Sequence, residues 1–299
     1  MDNIYNVLLW GTGIVFQRNI QLIKFLESQS MISVVAITSN DKIYANLFGY
    51  SFIEKKNISV NELNKVIIMA TDSTYDAIHK EAIEIGFVEN DLIPIKVVGL
   101  AGFDIAKYER LKCVTPTIFA SNCWGGITYN TLGLKFNSPF INMFIEEEDY
   151  IKFLKKPKYY INCQLQYYES RYNKDINIEY PVALCDDIKL FFNHYSSYED
   201  AEKCWERRKE RINWDNIFVM HYTTNLEMVD KFVDLEYEKG ICFTNKEYKV
   251  TDKNVITINY SDDETFYNVV NRFAKGEIIY YSPFDLLLYG HSELYSKLL

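Results

Sequence analysis

Apolar positions in about the first hundred residues follow two alternating rhythms. The short runs NVLLW, SVVAIT and KVIIMAT are dense in branched side chains. Apolar residues then recur every three or four positions, through Ile20, Ile23 and Leu26 and later through Ala77 and Ala82. The first rhythm predicts strands buried on both faces, and the second predicts helices that bury one face. Strands that alternate with helices must run parallel and connect by right-handed crossovers, which gives a Rossmann-like α/β half. The stretch LIPIKVVGLAGFDIAKYERL closes that half and leads out of it, so the border falls near residue 110. The alternation restarts with TPTIFA, a glycine turn, a helix through Tyr129 and Leu132, and the strand-like FINMFI. Between Tyr159 and His194 the segments INCQLQYY, NIEYPVAL and DIKLFFNHY carry tyrosines and β-branched residues with little helical period. They predict an antiparallel insertion or a sheet edge. A helix near 197–212, the strand IFVMH, a helix near 224–233, the strands ICF and VITIN, and helices through Phe266 and Leu286 complete the chain. The predicted fold class is α/β: two Rossmann-like halves, 1–110 and 111–299, the second with an antiparallel β insertion. Their shared grammar suggests an old duplication.

Two glycine turns stand where such folds keep ligands. In LLWGTGIVFQRNI, Gly11 and Gly13 separate a strand from a helix, so main-chain N–H groups and the helix dipole could receive a phosphate. A dinucleotide fingerprint wants a small residue where Phe16 stands and an acid about 20 residues on, at the end of the second strand. That region reads AITSND, with Thr38 and Ser39 at the strand end and Asp41 only later. NAD is therefore not the expected cofactor, and a turn that needs glycine for its backbone explains the pattern equally well. The second turn, Ser121, Asn122, Cys123, Trp124, Gly125 and Gly126, is richer. Ser121 or Asn122 can cap a helix or bond a ligand, and Gly125 and Gly126 let a ligand approach the main chain. Trp124 either stacks on a sugar or base or plugs the interior. The sequence pairs no histidine with Cys123, so thiol chemistry is not favoured. The principal pocket is expected here.

Further along, Ser196 and Glu199 have capping-box spacing and start a helix whose apolar stripe reads Ala201, Trp205 and Ile212. Arg208 falls on that stripe, where a permanent charge needs an anion, either a ligand phosphate or a protein carboxylate. Arg207 and Arg211 read as solvated partners of Glu202, Glu206 and Glu210. Asp186 and Asp187 precede a strand and read as a turn, because adjacent acids point apart. His194 lies beyond that strand and could reach the second glycine turn as a general base.

Composition narrows the possibilities. The 299 residues are 48% hydrophobic, enough for a real core, and a net charge of -9 argues against nucleic acid or an anionic membrane surface as partner. MDNIYNVLLW lacks a basic start and its apolar run is short, so it reads as neither signal peptide nor membrane span, and a cytoplasmic location is expected. Six cysteines and four histidines are scattered without metal-ligand spacing, and no metal is expected.

NCWGG followed by YNTLGLKFNSPFIN, then DYIKFLKKPKYY, the long run YPVALCDDIKLFFNHYSSYEDAEKCWERRKERINWDN and KGICFT together resemble a bacterial family, domain of unknown function 1919. The resemblance spans roughly Phe103 to Phe243. Members are often described as exopolysaccharide or capsule biosynthesis proteins, so it implies a setting of surface glycan assembly but transfers no catalytic residue. The leading expectation is a nucleotide-sugar-dependent transferase that binds a small phosphorylated ligand, with His194 as base and Arg208 receiving the departing diphosphate. The alternatives are an oxidoreductase using Gly11 and Gly13, and a non-catalytic binding or assembly subunit.

Overall fold

The computed structural model describes residues 4–40, 46–174, 177–248, 253–260 and 264–292. Asp41 lies outside the described residues. The chain divides between Gly99 and Leu100 into two compact units. In the first, β1 (Tyr5–Trp10), α1 (Ile14–Ser28), β2 (Ile32–Thr38), the small hairpin β3 (Asn46–Leu47) and β4 (Tyr50–Ser51), β5 (Lys65–Ile68), α2 (Asp72–Ile85), β6 (Leu92–Pro94) and α3 (Ile95–Val98) follow in order. The parallel sheet has the order β2-β1-β5-β6. The chain steps from β1 to β2 and then crosses back over β1 to β5, so the direction of winding reverses beside β1. Such a reversal opens a crevice at the carboxyl ends of the strands. Leu8, Trp10, Val66 and Ile68 pack with Ala82 and Phe87 to form the core beneath it.

The second unit begins ahead of the border expected near residue 110, because α4 (Ile105–Val114) belongs to it. Lys107 pairs with Asp285 at 2.7 Å, and the Tyr108 hydroxyl donates to the Leu132 carbonyl. There follow β7 (Thr117–Ala120), α5 (Trp124–Thr131), β8 (Phe144–Ile145), α6 (Glu147–Lys155), α7 (Pro157–Asn162), β9 (Gln166–Asn173), β10 (Ile178–Cys185), β11 (Ile188–Phe191) and α8 (Tyr198–Lys209). Then come β12 (Ile217–Tyr222), α9 (Leu226–Val233), β13 (Gly240–Thr244), β14 (Val255–Thr257), α10 (Phe266–Ala274) and α11 (Pro283–Tyr289). Its parallel sheet runs β14-β13-β12-β7 and its antiparallel sheet β8-β11-β10-β9, which is the expected insertion. The parallel strands lie in simple chain order with no reversal of winding. The two units thus share the α/β class without sharing a topology, and the pattern that suggested duplication reflects only the common alternation of strand and helix.

One local assignment shifts by a residue, and the expected turn at Asp186 and Asp187 is present. Helix α8 is capped by Ser197, whose hydroxyl accepts the Asp200 N–H at 3.1 Å, one residue beyond the box read from Ser196. Asp186 and Asp187 form the two-residue turn between β10 and β11, with Asp186 at φ 57, and they accept the hydroxyls of Tyr159 and Tyr160.

Candidate functional site

At the carboxyl ends of β1, β2 and β5 the first unit holds a cleft of about 580 Å³. Gly11, Thr12 and Gly13 line one wall, Ser39 and Asn40 another, and Ala70, Thr71 and Ser73 a third. The two glycines differ in role. Gly11 has φ +115, and a Cβ there would meet the Met69 carbonyl oxygen at 2.7 Å, so β1 and β5 can approach only if this residue is glycine. Gly13 has an ordinary φ of -79, and nothing lies within 4 Å of where its Cβ would stand. The backbone does not require glycine at 13, and the space beside it remains part of the cleft. Helices α1 and α2 both start at this cleft, and neither N-cap, Gly13 or Thr71, gives a side-chain acceptor to a first-turn N–H, the Thr71 hydroxyl meeting those of Ser73 and Thr74 instead. First-turn N–H groups have no intrahelical acceptor and suit an anion. At the end of β2 the position of a ribose-binding acid is held by Asn40. Its Oδ1 accepts the Trp10 indole N–H at 3.0 Å and its amide donates to Glu81 at 2.5 Å, while Glu81 also pairs with Lys55. Among the described residues no charged side chain lines the cleft itself.

The second glycine turn is more closed than expected. Ser121 is buried: its N–H donates to the Met220 carbonyl, its carbonyl accepts the Ile145 N–H, and its hydroxyl lies 3.1 Å from His221 Nδ1. Asn122 Oδ1 accepts the Trp124 N–H at 3.0 Å and so starts α5. Trp124 is 1% exposed, stacks on Phe218 and donates its indole N–H to the Tyr281 hydroxyl, so it plugs the interior and offers no face to a sugar. A Cβ on Gly125 would lie 3.2 Å from both Ala120 and Ile118, so that glycine serves the contact between α5 and β7 and not the approach of a ligand. At Gly126 the added atom would make only ordinary contact with Ile141. The roomier of these two turns is the first.

His194 does come to this bend. The bond from Ile145 N–H to the Ser121 carbonyl ties β8, and with it the antiparallel sheet, to the end of β7. The loop after β11 then places His194 Nε2 3.5 Å from Cys123 Sγ. Cys123 is partly exposed, and burial of part of the group pushes its thiol pKa up while lowering that of His194 below the ordinary histidine value. Both are neutral near pH 7, and a neutral imidazole beside a thiol can accept its proton. The sequence could not pair these residues, 71 positions apart. His221 was also illegible as a site residue. It is fully buried between Tyr150 and Phe232, burial pushes its pKa down to about 4, and its Nε2 has no partner among the described residues.

Arg208 is half-buried and pairs with no carboxylate among the described residues. Its guanidinium donates to the Tyr195 hydroxyl and, at 3.4 Å, to the Ile141 carbonyl. Of the two anions expected there, a ligand phosphate or a protein carboxylate, the second is absent among the described residues, and neutral acceptors take its place. Arg207 is exposed, and Arg211 donates to the Phe136 carbonyl at 3.5 Å.

Residues 95–289 match the family described as domain of unknown function 1919, and residues 3–93 match one described as C2185-like, N-terminal. An uncharacterized protein of Haemophilus influenzae is 29% identical over 136 residues, which is 44% of this chain and 63% of that relative. The chain thus spans less than two thirds of that relative's length. Among the described residues no helix is long and apolar enough to cross a membrane.

Proposed function

From the premise that the chain belongs to the family of domain of unknown function 1919, we propose that it is an enzyme of bacterial surface polysaccharide assembly that takes a nucleotide sugar. The diphosphate would lie in the first unit's cleft. The observation that carries this reading is the cleft itself, about 580 Å³ at the winding reversal, between two helix starts that no side chain caps. Asn40 in place of an acid at the end of β2 favours a nucleotide sugar over NAD, since the usual carboxylate for a dinucleotide ribose is missing from that position.

Titration calorimetry with UDP-sugars, CMP-sugars and NAD(H) tests the reading, with Gly13→Val as the probe. The space around Gly13 admits a side chain without touching the fold, so the variant should keep wild-type thermal stability and lose nucleotide-sugar binding at least about tenfold. Binding of NAD(H) alone, or nucleotide-sugar binding untouched by Gly13→Val, would overturn it.

A further inference from the structure

Cys123 occupies the N-cap position of α5. Its two predecessors in the bend are committed inward, Ser121 to His221 and Asn122 to the Trp124 N–H. Cys123 instead meets His194, which comes from a different sheet. The first turn of α5 adds a main-chain donor. The N–H group of Gly126, which is only partly buried, makes no hydrogen bond among the described residues, as expected for a group without an intrahelical acceptor. A thiol, an imidazole within reach of its proton and a main-chain N–H in the following helical turn form the set that acyl transfer to sulfur requires: nucleophile, base and a donor for the oxyanion.

We propose that Cys123 and His194 are a nucleophilic dyad that accepts an acyl group from an ester or thioester. The thiol proton moves to His194 Nε2 as sulfur bonds to the carbonyl carbon, and the carbonyl oxygen takes the negative charge. When the oxyanion collapses, the bond from that carbon to the donor's oxygen or sulfur breaks, and the leaving atom takes the proton from the imidazole. The products are S-acyl Cys123 and the donor's alcohol or thiol, with no change of oxidation state. A hydroxyl or water that attacks the thioester, again with His194 as base, restores the thiol. None of this depends on what the first unit binds.

The test uses p-nitrophenyl acetate and the full chain, with acetylation followed residue by residue by peptide mass spectrometry. Cys113, an exposed thiol on α4, is the comparison within the same molecule. Cys123 should acetylate at least about tenfold faster than Cys113, with a burst of p-nitrophenolate equivalent to the protein. His194→Ala should slow Cys123 by about a hundredfold, the lower range for loss of a general base, and leave Cys113 unchanged. If His194→Ala does not fold by circular dichroism, His194→Gln retains much of the bulk and removes the base. Acetylation of Cys123 no faster than Cys113, or a rate indifferent to either His194 variant, would overturn the proposal.

Discussion

His221 shows how one residue links packing to pH. Its ring lies between Tyr150 and Phe232 in the second unit's core, where only the Ser121 hydroxyl meets it among the described residues. Burial favours the neutral ring and lowers its pKa to about 4, against about 6.5 in the unfolded chain. Between those two values the unfolded state binds more protons than the folded one, so stability rises with pH through the window and is lost as pH falls from about 6.5 to 4. The whole effect is on the order of 3 kcal/mol, since a tenfold change in proton affinity corresponds to about 1.4 kcal/mol. His221→Gln should therefore flatten the loss of stability across this window, measured by urea unfolding at a series of pH values. An unchanged pH profile would mean that His221 is not the group that resists protonation. Arg208 makes the complementary point. The sequence placed it on the inner stripe of α8, where it is half-buried. It could not supply the acceptors, because the Ile141 carbonyl lies 67 positions away and the Tyr195 hydroxyl is brought over by the turn that leads into α8.

At the scale of elements, the contact between α5 and β7 depends on one missing side chain. An alanine at Gly125 puts its Cβ 3.2 Å from Ala120 and from Ile118, in a core that cannot shift without displacing β7 from the sheet. Gly125→Ala is expected to cost roughly 1–3 kcal/mol despite its better helix propensity. Gly126→Ala, with room of 3.7 Å or more, should be neutral or slightly stabilising. Thermal unfolding of the pair measures the difference, and equal effects would show that the tight contact is not what Gly125 serves. The contrast also marks what could be read beforehand. Apolar periodicity located α1, α2, α8 and the parallel strands because each buries a stripe or a run determined by local sequence. The purpose of each glycine could not be read, since φ +115 at Gly11 and the crowding at Gly125 arise from neighbours brought in by the sheet. FINMFI read as a full strand, yet only Phe144 and Ile145 pair with β11. The antiparallel sheet uses this segment chiefly to tie itself to the end of β7. Strand order was equally hidden, and strand order decides that the crevice lies in the first unit.

For the whole molecule, the division into two compact units implies two cooperative transitions. Trp10, Val66 and Ile68 anchor the first unit's core, while Phe119, Phe153, Leu190 and Trp205 belong to the second unit's. The two family matches, residues 3–93 and 95–289, meet close to the division after Gly99. Each of these clusters lies within one unit, so the contacts that make unfolding cooperative close separately. Differential scanning calorimetry of the full chain should then resolve two endotherms. Trp10→Phe removes buried volume and the indole N–H that holds Asn40, so it should lower one endotherm by an amount equivalent to roughly 1–3 kcal/mol and leave the other in place. Gly125→Ala should do the reverse. A nucleotide sugar at about a hundred times its dissociation constant should raise only the endotherm that Trp10→Phe lowers, by the equivalent of about 2.7 kcal/mol. If both substitutions move a single shared endotherm, the units unfold as one. If the ligand raises the endotherm that Gly125→Ala lowers, the nucleotide belongs in the second unit and the cleft beside Gly13 serves something else.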